Sequence, residues 1–180
     1  GDMRVSLFTN YGGCMTDPTA LPNFPPPADE HPVRGRVLDV LGDFGLAPNL
    51  DADGDVAFVA NEQQLFLRSF EGQPSAIRVF GQWAIQDELK GDRLHLLEVC
   101  NEVSLNMNCV TTGIALETLV VSSEHLVPEG ADLAQILTIA IQSVLQGVHI
   151  WHQRALGIDP NDPSEAPEAV PGDEVGGGQS

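Results

Sequence analysis

Residues 56–85, VAFVANEQQLFLRSFEGQPSAIRVFGQWAI, decide the fold. Val56, Phe58 and Ala60 alternate with Ala57 and Val59, which predicts a strand so apolar that both of its faces are covered. A polar turn at Asn61-Glu62-Gln63 leads into a second strand, Leu65 to Phe70. A further turn at Gly72-Gln73-Pro74 leads into a third, Ile77 to Ile85. Such short connections cannot carry a parallel crossover, so these strands pair antiparallel. If the Phe70–Ala76 connection is a tight hairpin, Arg68 stands opposite Arg78, Phe66 opposite Phe80 and Phe70 opposite Ala76, all on one face. Leu67, Ile77 and Val79 then point to the other face.

Upstream, Val33, Val37, Val40, Leu41 and Phe44 recur at helical spacing and Gly45 follows as a left-handed cap, predicting a helix over 33–45. Asp53-Gly54 is the turn that precedes the first strand. Downstream, Leu89, Leu94, Leu97, Cys100, Val103 and Leu105 predict a second helix from near Gly91 to near Asn106. Cys109–Thr112 and Leu116–Ser122 read as a hairpin turning at Thr112-Gly113. A broad stripe from Leu133 through Leu137, Ile141, Val144, Val148 and Trp151 to Ala155 predicts a long helix over 131–156. The expected architecture is α+β, an antiparallel sheet with helices in the order α-β-β-β-α-β-β-α.

These elements occupy 33–156 of a 180-residue chain. Residues 1–32 hold six prolines and are expected to form a Pro-rich arm, with Val5–Phe8 as a short edge strand. Residues 157–180 hold six acids, four prolines, three consecutive glycines and no base, the composition of a disordered acidic tail. With 26 acids against 8 Lys and Arg the net charge is −18, which repels nucleic acid and anionic membrane surfaces. Gln, Ser and His interrupt the apolar runs before the ~18 residues of a membrane span, and no signal peptide follows Gly1-Asp2-Met3. Cys14, Cys100 and Cys109 are an odd set without CxxC spacing. A Cys100–Cys109 disulfide is sterically conceivable, but free thiols in a cytoplasmic protein are the expectation.

The Asp53-Gly54-Asp55-Val56 turn into a strand, the Ile77-Arg78-Val79 to Trp83 strand, the Leu94–Leu97–Asn101 helix and Gly130 before the last helix together resemble the YbjN-domain family. That family is assigned to bacterial sensory transduction, and its fold is similar to type III secretion chaperones. The resemblance spans 33–156, with one departure: Val103, Ser104 and Leu105 stand where family members often carry Trp and Asn. It implies a non-enzymatic, dimeric, protein-binding or regulatory module, with no catalytic residues or cofactor to carry over.

Two groups of residues have metal-like spacing. Asp51, Asp53, Asp55 and Glu62 follow the carboxylate offsets of a calcium loop, but Val56 stands where the loop needs glycine, so a solvated turn is the better reading. His149 and His152 lie at i, i+3, yet no third ligand lies one turn away. No G-x-S-x-G elbow or phosphate-cradling glycine loop is present. A small metal-dependent or small-molecule enzyme using these acids or histidines is the competing class. The expected partner surface is Phe66, Arg68, Phe70, Arg78 and Phe80, because aromatic and Arg residues anchor interfaces. Ile139 and Ile150, eleven residues apart on the outer face of the last helix, are the candidate contacts for a homodimer.

Overall fold

In the computed structural model, residues 30–158 are described. Residues 1–29 and 159–180 fall outside them, and with them the Val5–Phe8 strand, Cys14 and nearly all of the expected arm and tail. The element order is α1 (Pro32–Asp43), β1 (Asn49–Leu50), β2 (Val56–Ala60), β3 (Gln63–Phe70), β4 (Ser75–Ala84), α2 (Arg93–Asn106), β5 (Val110–Ala115), β6 (Thr118–Val127) and α3 (Leu133–Ala155). A short 3-10 turn, Asp87–Leu89, leads into α2. The fold is the expected α+β, one sheet with every pairing antiparallel and spatial order β1-β2-β3-β4-β6-β5.

Pro32 belongs to α1 rather than to the arm, at its first position, where its missing N–H costs nothing. No side chain of its own caps the helix. Instead the Glu71 carboxylate, from the β3–β4 connection, accepts the N–H groups of Val33 and Arg34 at 3.3 and 3.1 Å. At the other end Gly45 (φ +77°) donates to the Gly42 carbonyl while Leu46 donates to that of Leu41, the six-to-one and five-to-two pattern of a glycine-terminated helix. Gly157 ends α3 in the same way, through bonds from Gly157 and Ile158 to Arg154 and Gln153.

Four expectations need correction. The two-residue strand β1, invisible as a pattern, pairs with β2 and flanks the sheet. Val59 is 50% exposed, so β2 is not covered on both faces. The β5–β6 turn falls at Leu116-Glu117, and Gly113 lies within the ladder opposite Val120. Finally, Leu94, Leu97 and Leu105 of α2 face outward; the buried set is Leu96, Val99, Cys100 and Val103.

The core lies between one face of the sheet and the helices. Leu65, Leu67, Ile77, Val79, Leu119 and Val121 line that face and are fully buried, meeting Val37 and Leu41 of α1, Val99 and Val103 of α2 and the long stripe of α3. By length and mean hydropathy (1.4 over its most apolar window) α3 could cross a membrane, contrary to the reading of its apolar run as interrupted. It buries Leu133, Leu137, Val144, Val148 and Trp151 here, as a core helix does. The indole N–H of Trp151 donates to Cys100 Sγ at 3.2 Å, tying α3 to α2. Cys100 is buried and free, and Cys109 is exposed and free. At the β5 edge, Ser104 Oγ of α2 accepts the Thr112 N–H and Thr112 Oγ1 donates to the Cys100 carbonyl, so the helix closes part of the edge that could template further strands.

Candidate interaction surface

The second face of the sheet carries no helix among the described residues. Alternation along each strand sends to it Phe66, Arg68 and Phe70 from β3, Ala76, Arg78, Phe80 and Gln82 from β4, and Ser122, Glu124 and Leu126 from β6. The register is the one expected from the hairpin: Phe66 opposite Phe80, Arg68 opposite Arg78, Phe70 opposite Ala76.

Two like charges directly opposed would destabilise the ladder. Each arginine, however, has its own carboxylate. Arg68 donates through Nε and Nη2 to the two oxygens of Asp55 at 2.9 and 2.7 Å, and Arg78 donates through Nε and Nη2 to Glu124 Oε2 at 3.2 and 3.0 Å. The row Asp55–Arg68–Arg78–Glu124 therefore crosses the sheet with its two acids at the ends. The bond to Asp55 and that carboxylate's charge raise the pKa of Arg68 further above its ordinary value, fixing the cation. Phe66 and Phe80 stack at 5.6 Å between centroids and 26° between planes. The guanidinium carbon of Arg68 lies 5.7 Å from the Phe80 centroid and that of Arg78 5.2 Å from the Phe70 centroid. At the end of this row Leu126 is 62% exposed and Phe70 38%. A shallow depression of about 400 Å³ lies over the face, bordered by both arginines, Phe80, Thr111 and Ser122.

All five sheet residues named from the sequence thus converge on one surface. Ile139 and Ile150 do not join it: both belong to α3, where Ile139 is 46% exposed and Ile150 packs half-buried against the core, so it is not the outward residue expected. Glu124 and Leu126 were missed because the partner of β4 is β6, a pairing that no local pattern announces.

The metal-like groups find other partners. Asp51 Oδ1 accepts the N–H groups of Asp53 and Asp55, both at 2.9 Å, and Asp55 is taken by Arg68. Asn61 and Glu62 form the β2–β3 turn with positive φ. His149 and His152 border one shallow depression beside Trp83, and His152 Nδ1 lies 2.8 Å from the Val148 carbonyl. Among the described residues no three His, Cys, Asp or Glu side chains are placed to share a metal ion. One Ser–His pair went unnoticed in the sequence: Ser123 Oγ lies 2.8 Å from His125 Nε2. Ser123 has no exposed surface, so this oxygen is out of reach of a substrate in solution.

No protein-family model matches this sequence, and no curated protein matches it either. Among solved structures it is similar to YbjN of E. coli, a candidate transcription regulator, with 14% identity and a TM-score of 0.54 over 69% of this chain and 93% of that one. It is also similar to an uncharacterized protein from Methanothermobacter thermautotrophicus, with 12% identity and a TM-score of 0.51 over 70% of this chain and 99% of that one. The chain has a YbjN-like fold.

Proposed function

We propose that this chain is a non-enzymatic regulatory module that works by binding another polypeptide on the open sheet face, as a homodimer in the cytoplasm. The observation that carries this reading is the stacked Phe66–Phe80 pair flanked by two arginines, each held in place by a carboxylate and lying near an aromatic ring. Aromatic and Arg side chains are the enriched anchors of protein interfaces, and side chains already ordered before binding lose less entropy when they dock. Likeness to a candidate transcription regulator supports a regulatory role. A net charge of −18 opposes direct contact with DNA, so regulation here runs through a protein partner. The free thiols of Cys100 and Cys109 fit a reducing compartment.

The test is affinity capture and cross-linking with the full chain and two variants, Arg68→Gln/Arg78→Glu and Phe70→Ser/Leu126→Ser. The second replaces exposed apolar residues and leaves both ion pairs in place. Loss of the same bound polypeptide from both, with native circular dichroism retained, is the expected result. An unchanged bound set in the folded variants would discard the sheet face as a docking site.

A further inference from the structure

The charged row on the sheet face leaves part of its hydrogen-bonding capacity unused. Arg68 and Arg78 bond their carboxylates through Nε and Nη2, so the Nη1 of each guanidinium keeps two hydrogens for another acceptor. Both bonds to Glu124 end on Oε2, which leaves Oε1 as an acceptor. Both arginines and Glu124 border the depression of about 400 Å³, where Gln82 and Ser122 add polar groups and Phe80 and Val120 an apolar wall. That volume lies in the range of small-ligand sites. Opposite Val120, on the neighbouring strand β5, stands Gly113. A glycine inside a strand gives up backbone entropy and cross-strand packing, and it marks places where another group comes close. Nothing in the fold requires it here: its φ is not left-handed, and a Cβ added to Gly113 would meet nothing within 4 Å. An open notch therefore lies beside Val120, on the same face as the two arginines.

We infer that this depression binds a free α-amino acid with an aliphatic side chain. Its carboxylate takes the Nη1 groups of Arg68 and Arg78, its ammonium takes Glu124 Oε1, and its side chain lies over Val120 in the notch that Gly113 leaves. Charge selects this class of ligand. Asp55 and Glu124 balance the two arginines, and the whole chain carries −18, so a phosphate or a simple carboxylate would approach a repelling molecule with nothing to offset the repulsion. A zwitterion has no net charge to be repelled. Its two poles match a donor and an acceptor that stand side by side, because Arg78 and Glu124 are direct cross-strand partners. Its carboxylate also sets an anion against two cations that otherwise oppose each other across the β3–β4 ladder.

The ligand goes beyond the proposed polypeptide partner: it shares that face, but its recognition does not rest on the partner. Isothermal titration of the full chain with L-leucine should show saturable binding with a Kd at or below about 1 mM. N-acetyl-leucine lacks the ammonium and leucinamide lacks the carboxylate, so each should bind about tenfold more weakly or worse. Glu124→Gln, at an exposed position, should weaken leucine to a similar degree. Gly113→Val suits a strand and displaces nothing, so it should keep native circular dichroism while weakening leucine more than alanine. Absence of saturable binding by leucine, equal binding of N-acetyl-leucine, or a folded Gly113→Val chain that binds leucine like the wild type overturns the inference. Phe70 and Leu126 do not border the depression. Phe70→Ser/Leu126→Ser should therefore bind leucine unchanged while losing the polypeptide partner, so failure of the ligand site and failure of partner docking are read separately.

Discussion

Asp55 and Arg68 form a two-pronged ion pair in which the acid is nearly inaccessible, its side chain 6% exposed, while the arginine is 47% exposed. The pair joins the residue before β2 to the middle of β3 and lets Arg68 tolerate Arg78 across the ladder. The asymmetry of burial dictates an asymmetry of loss.

Arg68→Ala should cost about 1–3 kcal/mol, because it leaves a desolvated carboxylate without its charged donor. Converting both residues, as Asp55→Asn with Arg68→Ala, should recover part of that loss. Urea unfolding of the single and double variants measures the coupling, and strictly additive losses would show that the pair contributes no interaction of its own.

Gly81 sits on the buried face of β4, and an added Cβ would come within 2.4 Å of the Trp83 ring and 3.0 Å of Leu65. The indole is held by its N–H bond to Gln63 Oε1 at 2.8 Å, so it cannot yield freely. Gly81→Ala should therefore destabilise by about 1–3 kcal/mol through overpacking and move the Trp83 fluorescence. A stability equal to wild type, with the emission unchanged, would contradict the packing at this point.

Burial pushes the pKa of His125 below its ordinary value of 6.5. The unfolded chain takes up this proton more readily than the folded one, so the contribution is complete above pH 6.5 and is lost as pH falls below it. Denaturation midpoints of wild type and His125→Gln compared between pH 7.5 and 5.5 isolate the effect from the many surface acids. The wild type should lose more stability on acidification than the variant, and equal losses would remove His125 as the cause.

Local chemistry carried much of the fold and of the sheet face. Period-two alternation and two polar turns sufficed to place β2, β3 and β4, and a tight connection after Phe70 fixed which residues oppose which, because hairpin register is set by the turn itself. That is why Phe66, Arg68, Phe70, Arg78 and Phe80 could be grouped before any coordinates. Glu124 and Leu126 could not, since β6 reaches β4 only after a helix and another strand have intervened.

Helix α2 marks the same boundary from the other side. Its leucines fall on both sides of the cylinder, so its pattern of apolar residues supports a helix without saying which stripe turns inward. The intrinsic code settled that Arg93–Asn106 is helical; the packing of Cys100 under the Trp151 indole and of Val99 and Val103 against the sheet decided that Leu94, Leu97 and Leu105 look outward. The physical reason is that periodicity is a property of one segment, whereas burial depends on what lies across the contact, and for α2 those neighbours are β5 and α3, brought from later in the chain.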